Sequence, residues 1–221
     1  MRRIATITLV GLVTSLGICV VDGVPAGATT TKNLILNGNA EAGAGSGTGG
    51  VVTVPDWTDT TGTSFTAVKY GATGGGFLTA TSPGPKNRGS NFFAGGPNDS
   101  FDSITTTQTV NLASYVNAIK GGLVTASLAG WLGGSGTRTD EAIVEVDFKN
   151  KKGFLIGTSL TLPTVTESDR GGVTELIRRS ATEAVPPTAK SAYVQLSFSR
   201  ESGQTYNDAF MDDIVLKLSG T

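Results

Sequence analysis

Two stretches of this chain alternate on a period of two. Residues 141–149 set Ala142, Val144, Val146 and Phe148 against Glu141, Glu145, Asp147 and Lys149. Residues 191–199 set Ala192, Val194, Leu196 and Phe198 against Tyr193, Gln195 and Ser197. Successive side chains of an extended backbone point to opposite faces, so each stretch reads as a strand with one face in a core and the other in water. Such strands need a second apolar layer to close on, which points to a sandwich.

Other segments fit that plan. Residues 64–70, 103–110, 124–132 and 173–179 have strand character, and Asn150-Lys151-Lys152-Gly153 is a turn that returns residues 154–162 as a hairpin partner. Residues 51–57 read as a short strand ending at Pro55, which swings Trp57 inward, and residues 33–41 and 211–218 read as the first and last strands. Residues 112–119 have apolar positions at helical spacing between a cap at Asn111 and a stop at Gly121. Residues 42–50, all Gly, Ala, Ser and Thr with no apolar pattern, read as a mobile loop. Residues 71–102 form the longest irregular region, with a short strand expected at 91–94. With nine or ten strands and no repeat of fixed period, the expected fold class is all-β: an antiparallel β-sandwich with one short helix.

The first 28 residues read differently. Met1-Arg2-Arg3, an apolar run over residues 4–21 and Ala26-Gly27-Ala28 make the three parts of a secretory signal peptide, with cleavage expected after Ala28. Residues 29–221 are then one exported domain, large enough for a good core. The lone cysteine, Cys19, falls in the leader, so no disulfide is expected. The chain has 0 histidines, which removes the commonest general base and the commonest transition-metal ligand. Its net charge is -1, with lysines and arginines scattered along the sequence. No footprint for nucleic acid or an anionic membrane is read from that pattern.

The two ends carry the most specific motifs. The opening reads Asn33-Leu34-Ile35-Leu36-Asn37-Gly38-Asn39-Ala40-Glu41, and the close reads Asp212-Asp213-Ile214-Val215-Leu216. Together they resemble the galactose-binding-like jelly rolls, and are similar to carbohydrate-binding modules of families 4, 9 and 22. The resemblance implies neighbouring first and last strands, a carbohydrate or cell-surface glycan as partner, and a structural calcium held by Glu41 and Asp212. Parity in the last strand puts Asp212 with Ile214, Leu216 and Leu218 on the core side, where a carboxylate is costly unless paired or metal-bound. The alternative is that both acids are solvated at strand ends.

Several further residues are candidates for a ligand site. Tyr206-Asn207-Asp208 and Asp140, with Arg138, are polar groups beside strands, as are Arg88 and Arg170 in glycine-rich loops; solvated turns are the competing reading. Trp57 and Trp131 are expected in the core, and Tyr70, Tyr193 and Tyr206 at the surface. Glu145-Val146-Asp147-Phe148-Lys149-Asn150 resembles the catalytic strand of family 16 glycoside hydrolases. Asn150 stands where the second glutamate should be, so the carboxylate pair of a retaining enzyme is missing and no catalytic residue is assigned. The expected function is non-catalytic glycan binding, with a structural or adhesive sandwich as the alternative.

Overall fold

A computed structural model describes residues 29–97 and 100–221. The signal-peptide reading falls on residues 1–28 and lies outside the described residues, as does Cys19. In chain order the elements are β1 (Thr58–Thr61), β2 (Thr66–Lys69), β3 (Asn91–Pro97), β4 (Ser103–Asn111), a 3-10 turn (Ala113–Tyr115), α1 (Val116–Lys120), β5 (Thr125–Gly134), β6 (Glu141–Lys149), β7 (Leu160–Thr161), α2 (Glu167–Arg170), β8 (Glu175–Ala184), β9 (Ser191–Ser199) and β10 (Tyr206–Ser219).

They form two five-stranded antiparallel sheets, β1-β4-β9-β6-β7 and β2-β3-β10-β5-β8. The alternation in β6 and β9 does what the sequence suggests. Val144, Val146, Phe148, Val194, Leu196 and Phe198 are fully buried against Leu128, Leu132, Met211, Leu216 and Leu218 of the facing sheet. Among the described residues no helix is long and apolar enough to cross a membrane.

The first segment is not a strand. It runs extended beside the last half of β10, where β3 has already ended: Thr31 and Leu34 donate their N–H groups to the carbonyls of Leu218 and Leu216 at 2.9 and 2.8 Å. Asn33 replaces part of the ladder with its side chain, accepting from Leu216 N–H at 2.9 Å and donating to the Ile214 carbonyl at 3.0 Å. The chain then breaks into turns, with Asn37 and Ala40 at φ 47 and 60. Gly38 comes so close to β10 that a Cβ there would sit 2.1 Å from the Ile214 carbonyl oxygen. The expected proximity of the two ends therefore holds, by a few backbone hydrogen bonds, the Asn33 side chain and turn contacts instead of a regular strand pair.

Other expectations shift. Residues 51–57 form no strand, and β1 follows them instead. Trp57 packs on the main core and donates its indole N–H to the Asn37 carbonyl at 3.1 Å. Residues 42–50 are tied down: Ser46 donates to the Ala67 carbonyl at 2.8 Å and accepts from Lys69 N–H at 2.9 Å. The hairpin partner of β6 shrinks to the two residues of β7. The helix is split into a 3-10 turn and α1, with the Asn111 carboxamide oxygen accepting from Ala113 N–H at 2.8 Å.

Candidate functional site: a cleft at one end of the second sheet

The outward face of the second sheet is not bare. Val68, Phe92, Ala94, Leu176 and Phe210 point away from the main core and are covered by Leu78 and Phe77 from residues 71–90, making a second small core. The irregular region is thus a cover over the sheet. Arg88 fastens it, donating to the carbonyls of Pro85, Thr79 and Ser82 at 3.0, 3.0 and 2.7 Å and stacking over Tyr70.

Asp212 lies under this cover, which corrects the parity reading. The register of β10 against β5 slips between Asp212 and Val215, and Asp213 adopts φ 50. Such a bulge inserts one residue and switches the faces beyond it. Asp212 therefore shares the outward face with Phe210, opposite Trp131 in β5, while Ile214, Leu216 and Leu218 return to the main core. Trp131 is corrected with it, being half-buried on the outward face instead of in the main core.

Among the described residues no cation pairs with the Asp212 carboxylate. It accepts from the Tyr70 hydroxyl at 2.6 Å and from Asp213 N–H at 2.7 Å. Burial, with the nearby charges of Asp213 and Glu41, pushes its pKa up to about 8. Tyr70 is correspondingly driven above the usual phenol range, by burial first and the Asp212 charge second, and so is not the free surface aromatic expected from sequence.

Glu41 is exposed and holds the cover's exit: its Oε1 accepts from the N–H groups of Ser90 and Asn91 at 2.8 and 2.7 Å. Gly89, at φ 69, leaves room for that carboxylate, because a Cβ there would lie 2.6 Å from Oε1. Beside it Asn91 donates its amide to the carbonyls of Ala40 and Gly43, while its Oδ1 is buried without a partner. The donors here are all oxygen, as calcium prefers. Asn91 Oδ1 is left without a hydrogen bond, whereas Glu41 Oε1 and both Asp212 oxygens already accept them. Among the described residues no three Asp, Glu, His or Cys side chains cluster as a metal site on their own.

The sequence candidates near β10 divide into two roles. Tyr206, Asp208 and Arg138 line one cleft of about 440 Å³, together with Thr48, Gly74, Gly75, Gly76, Phe77, Ser135 and Thr205. Asp140 and Asn207 lie behind it and hold its walls. Asp140 is buried and accepts from the backbone N–H groups of Glu201 and Asp208; Asn207 donates to the Phe198 carbonyl at 2.9 Å. Arg170 is likewise structural, giving its guanidinium to the carbonyls of Gly134, Gly136, Val173 and Arg138. Its neighbour Asp169 pairs instead with Arg179 at 3.1 Å.

Within the cleft the chemistry is mixed. Tyr206 meets Phe77 edge-on at 5.3 Å between centroids and donates its hydroxyl to the Gly49 carbonyl at 3.0 Å. Asp208 faces Arg138 at 3.8 Å, with side chains 14% and 43% exposed respectively. Burial and the charge of Asp140 push Asp208 up to about 6, against the opposing pull of Arg138. An aromatic wall with an adjacent acceptor and donor suits a ligand that has one apolar face and many hydroxyls. Phe77 and the three glycines were missed at the sequence level, since nothing in residues 71–77 has a period.

The hydrolase-like strand lies away from this cleft, on the first sheet. Glu145 and Asp147 do lie on the outward face of the first sheet, where Gln195 donates to both at 3.2 and 3.4 Å. Thr161 and Ser159 donate to their other oxygens. Asn150 is a turn residue, its Oδ1 accepting from Lys152 and Phe154 N–H at 2.9 and 3.2 Å. Tyr193, on the same face, sits under the Lys149 ammonium at 3.5 Å.

No protein-family model and no curated protein matches the sequence. Solved structures do. A Stig cyclase from Fischerella sp. TAU, bound to an indole derivative, matches with TM-score 0.56 and 12% identity over 86% of this chain and 98% of that one. A xylan-binding domain of carbohydrate-binding module family 22 matches with TM-score 0.42 and 12% identity over 89% and 98%. The enzymatically active domain of the bacteriophage CBA120 tailspike protein 4 matches with TM-score 0.46 and 15% identity, this chain spanning only 21% of its length. At these identities, the 12% of the Stig cyclase included, the matches speak to the β-sandwich fold alone, and the question of chemistry is left to the site.

Proposed function

We propose that the protein is a secreted, non-catalytic β-sandwich that binds carbohydrate in the cleft between residues 74–77 and the start of β10. One observation carries this reading: Tyr206, Asp208 and Arg138, apart in sequence, line one cleft with Phe77 and the hydroxyls of Thr48, Ser135 and Thr205. An aromatic edge takes the apolar face of a pyranose, a carboxylate accepts two of its hydroxyls and a guanidinium donates to others. Two-carboxylate hydrolysis is not part of the proposal, because among the described residues lining the cleft Asp208 is the one acid, and Asp140 behind it is occupied by two backbone N–H groups. Affinity electrophoresis in gels containing neutral plant and bacterial polysaccharides tests it. Retardation that Asp208→Asn and Arg138→Ala abolish supports the cleft, and unretarded migration in every gel counts against it.

The proposal also keeps a structural calcium, held by Glu41 with Asn91 Oδ1 at the exit of the cover. Asp212 would join it only by releasing the Tyr70 hydroxyl. Chelation should then lower the melting temperature, and Glu41→Gln should remove that sensitivity; a melting temperature indifferent to chelator would leave Glu41 as a backbone clamp. The structural or adhesive alternative would need an open edge such as β8, a ten-residue strand at the margin of its sheet. Its Arg178, Arg179 and Glu183 place charges along that edge, which opposes strand addition by another chain.

A further inference from the structure

The far end of the sandwich gathers positive charge that the sequence disperses. Lys120 ends α1, Lys151 and Lys152 sit in the β6–β7 turn, and Lys190 precedes β9. The topology folds these three turns together: Lys190 N–H donates to the Lys149 carbonyl at 2.8 Å, and Leu112 N–H, ahead of α1, donates to the Lys190 carbonyl at 3.0 Å. All four lysines line one cleft of about 660 Å³ with Asn150, Phe154, Pro187 and Thr188, and its lining contains no acid. The expectation of scattered basic residues is corrected here, since four of them converge in space.

The local structure presents these groups to solvent. The Asn150 side chain caps its own turn and Gly153 takes φ 82, which fixes the turn with Lys151, Lys152 and Phe154 exposed on it. Phe154 is 64% exposed, a large apolar ring left in water beside the cations. The ion pairs found among the described residues use Arg138, Arg179 and Arg200, and none of these four lysines. Four like charges with no acid in the lining of their cleft repel one another, and a bound anion would relieve that repulsion.

We propose that this cleft binds an anionic polysaccharide, with the four lysines on its carboxylate or sulfate groups and Phe154 against a sugar ring. Lysine ammoniums are point charges that meet such groups from any direction, unlike the planar fork of arginine. A groove for single-stranded nucleic acid combines positive charge with several stacking aromatics; this one offers a single ring. β6 and β9 run from this cleft to the one at Asp208, a span of about 30 Å at nine residues each, so the two sites are separate.

The test titrates the purified protein with polygalacturonate, heparin, neutral xylan and oligo-dT at low and moderate salt. Binding of polygalacturonate or heparin is expected, weakening as salt rises, and the stronger of the two identifies carboxylate or sulfate as the favoured group. Lys151→Ala/Lys152→Ala, an exposed double change that leaves the core intact, should weaken it roughly tenfold without altering retardation by neutral polysaccharides. Failure of both anionic glycans at low salt overturns the proposal, as does undiminished affinity in the double variant. Tighter binding of oligo-dT than of either glycan would replace it with a nucleic-acid site.

Discussion

The outward faces of the two sheets are built from the same kind of alternating strand and end up differently. On the first sheet, Gln195 of β9 donates to both Glu145 and Asp147 of β6 at the surface. On the second, residues 71–90 fold across β3 and β10 and bury Phe92, Phe210 and Asp212 completely. Alternation decides which residues leave the main core, and a segment without alternation decides whether they meet water. That cover produces the two features with chemical character, a carboxylate held in an apolar setting and a cleft at its margin.

The contrast can be broken most sharply at the cover itself. Leu78 is fully buried against the outward face, so Leu78→Ala should cost about 2 to 5 kcal/mol in denaturant unfolding. A loss below about 1 kcal/mol would mean that the cover is not part of the cooperative fold. Asp212 should give the next largest effect. Its folded pKa, raised to about 8 chiefly by burial, means that the folded state retains a proton the unfolded chain has lost. The contribution is fully present below the unfolded pKa near 4 and disappears as pH rises through about 8. In chelator the melting temperature should therefore fall between pH 5 and 9, and Asp212→Asn should flatten that fall. A flat profile for the native protein would contradict the buried, unpaired carboxylate.

Smaller effects are expected on the bare face. Gln195→Ala removes two surface hydrogen bonds to carboxylates that keep Thr161 and Ser159, and should change stability by no more than about 1 kcal/mol. Glu145→Gln should leave glycan binding unchanged, as measured by gel retardation; a loss of binding would move the site to the first sheet.

How much of this was legible in the sequence depended on whether the signal was local. β6 and β9 were plain because a period of two requires nothing from elsewhere in the chain. Asp212 was misplaced because alternation cannot reveal a bulge: the pair Asp212-Asp213 looks like two ordinary strand residues until Asp213 takes a positive φ and switches the face. The opening motif pointed correctly to β10, yet Asn33 meets it through a side chain and Gly38 through a close backbone approach, neither of which strand patterns encode. Tyr206, Asp208 and Arg138 were singled out as polar groups beside strands, while Phe77 and the Gly74–Gly76 turn that complete their cleft lacked any pattern. The lysine cleft was hidden for a related reason, since α1, the β6–β7 turn and the β8–β9 turn become neighbours only through the sheet order.

The most direct test of carbohydrate binding at the covered sheet's margin is the pH dependence of affinity in a polysaccharide gel that retards the protein, for the native chain and Asp208→Asn. If the ionised Asp208 accepts sugar hydroxyls, retardation should weaken as pH falls through about 6, where that carboxylate takes up its proton, and Asp208→Asn should be weak at every pH. Retardation of both proteins that is equal and independent of pH would contradict the assignment of this cleft.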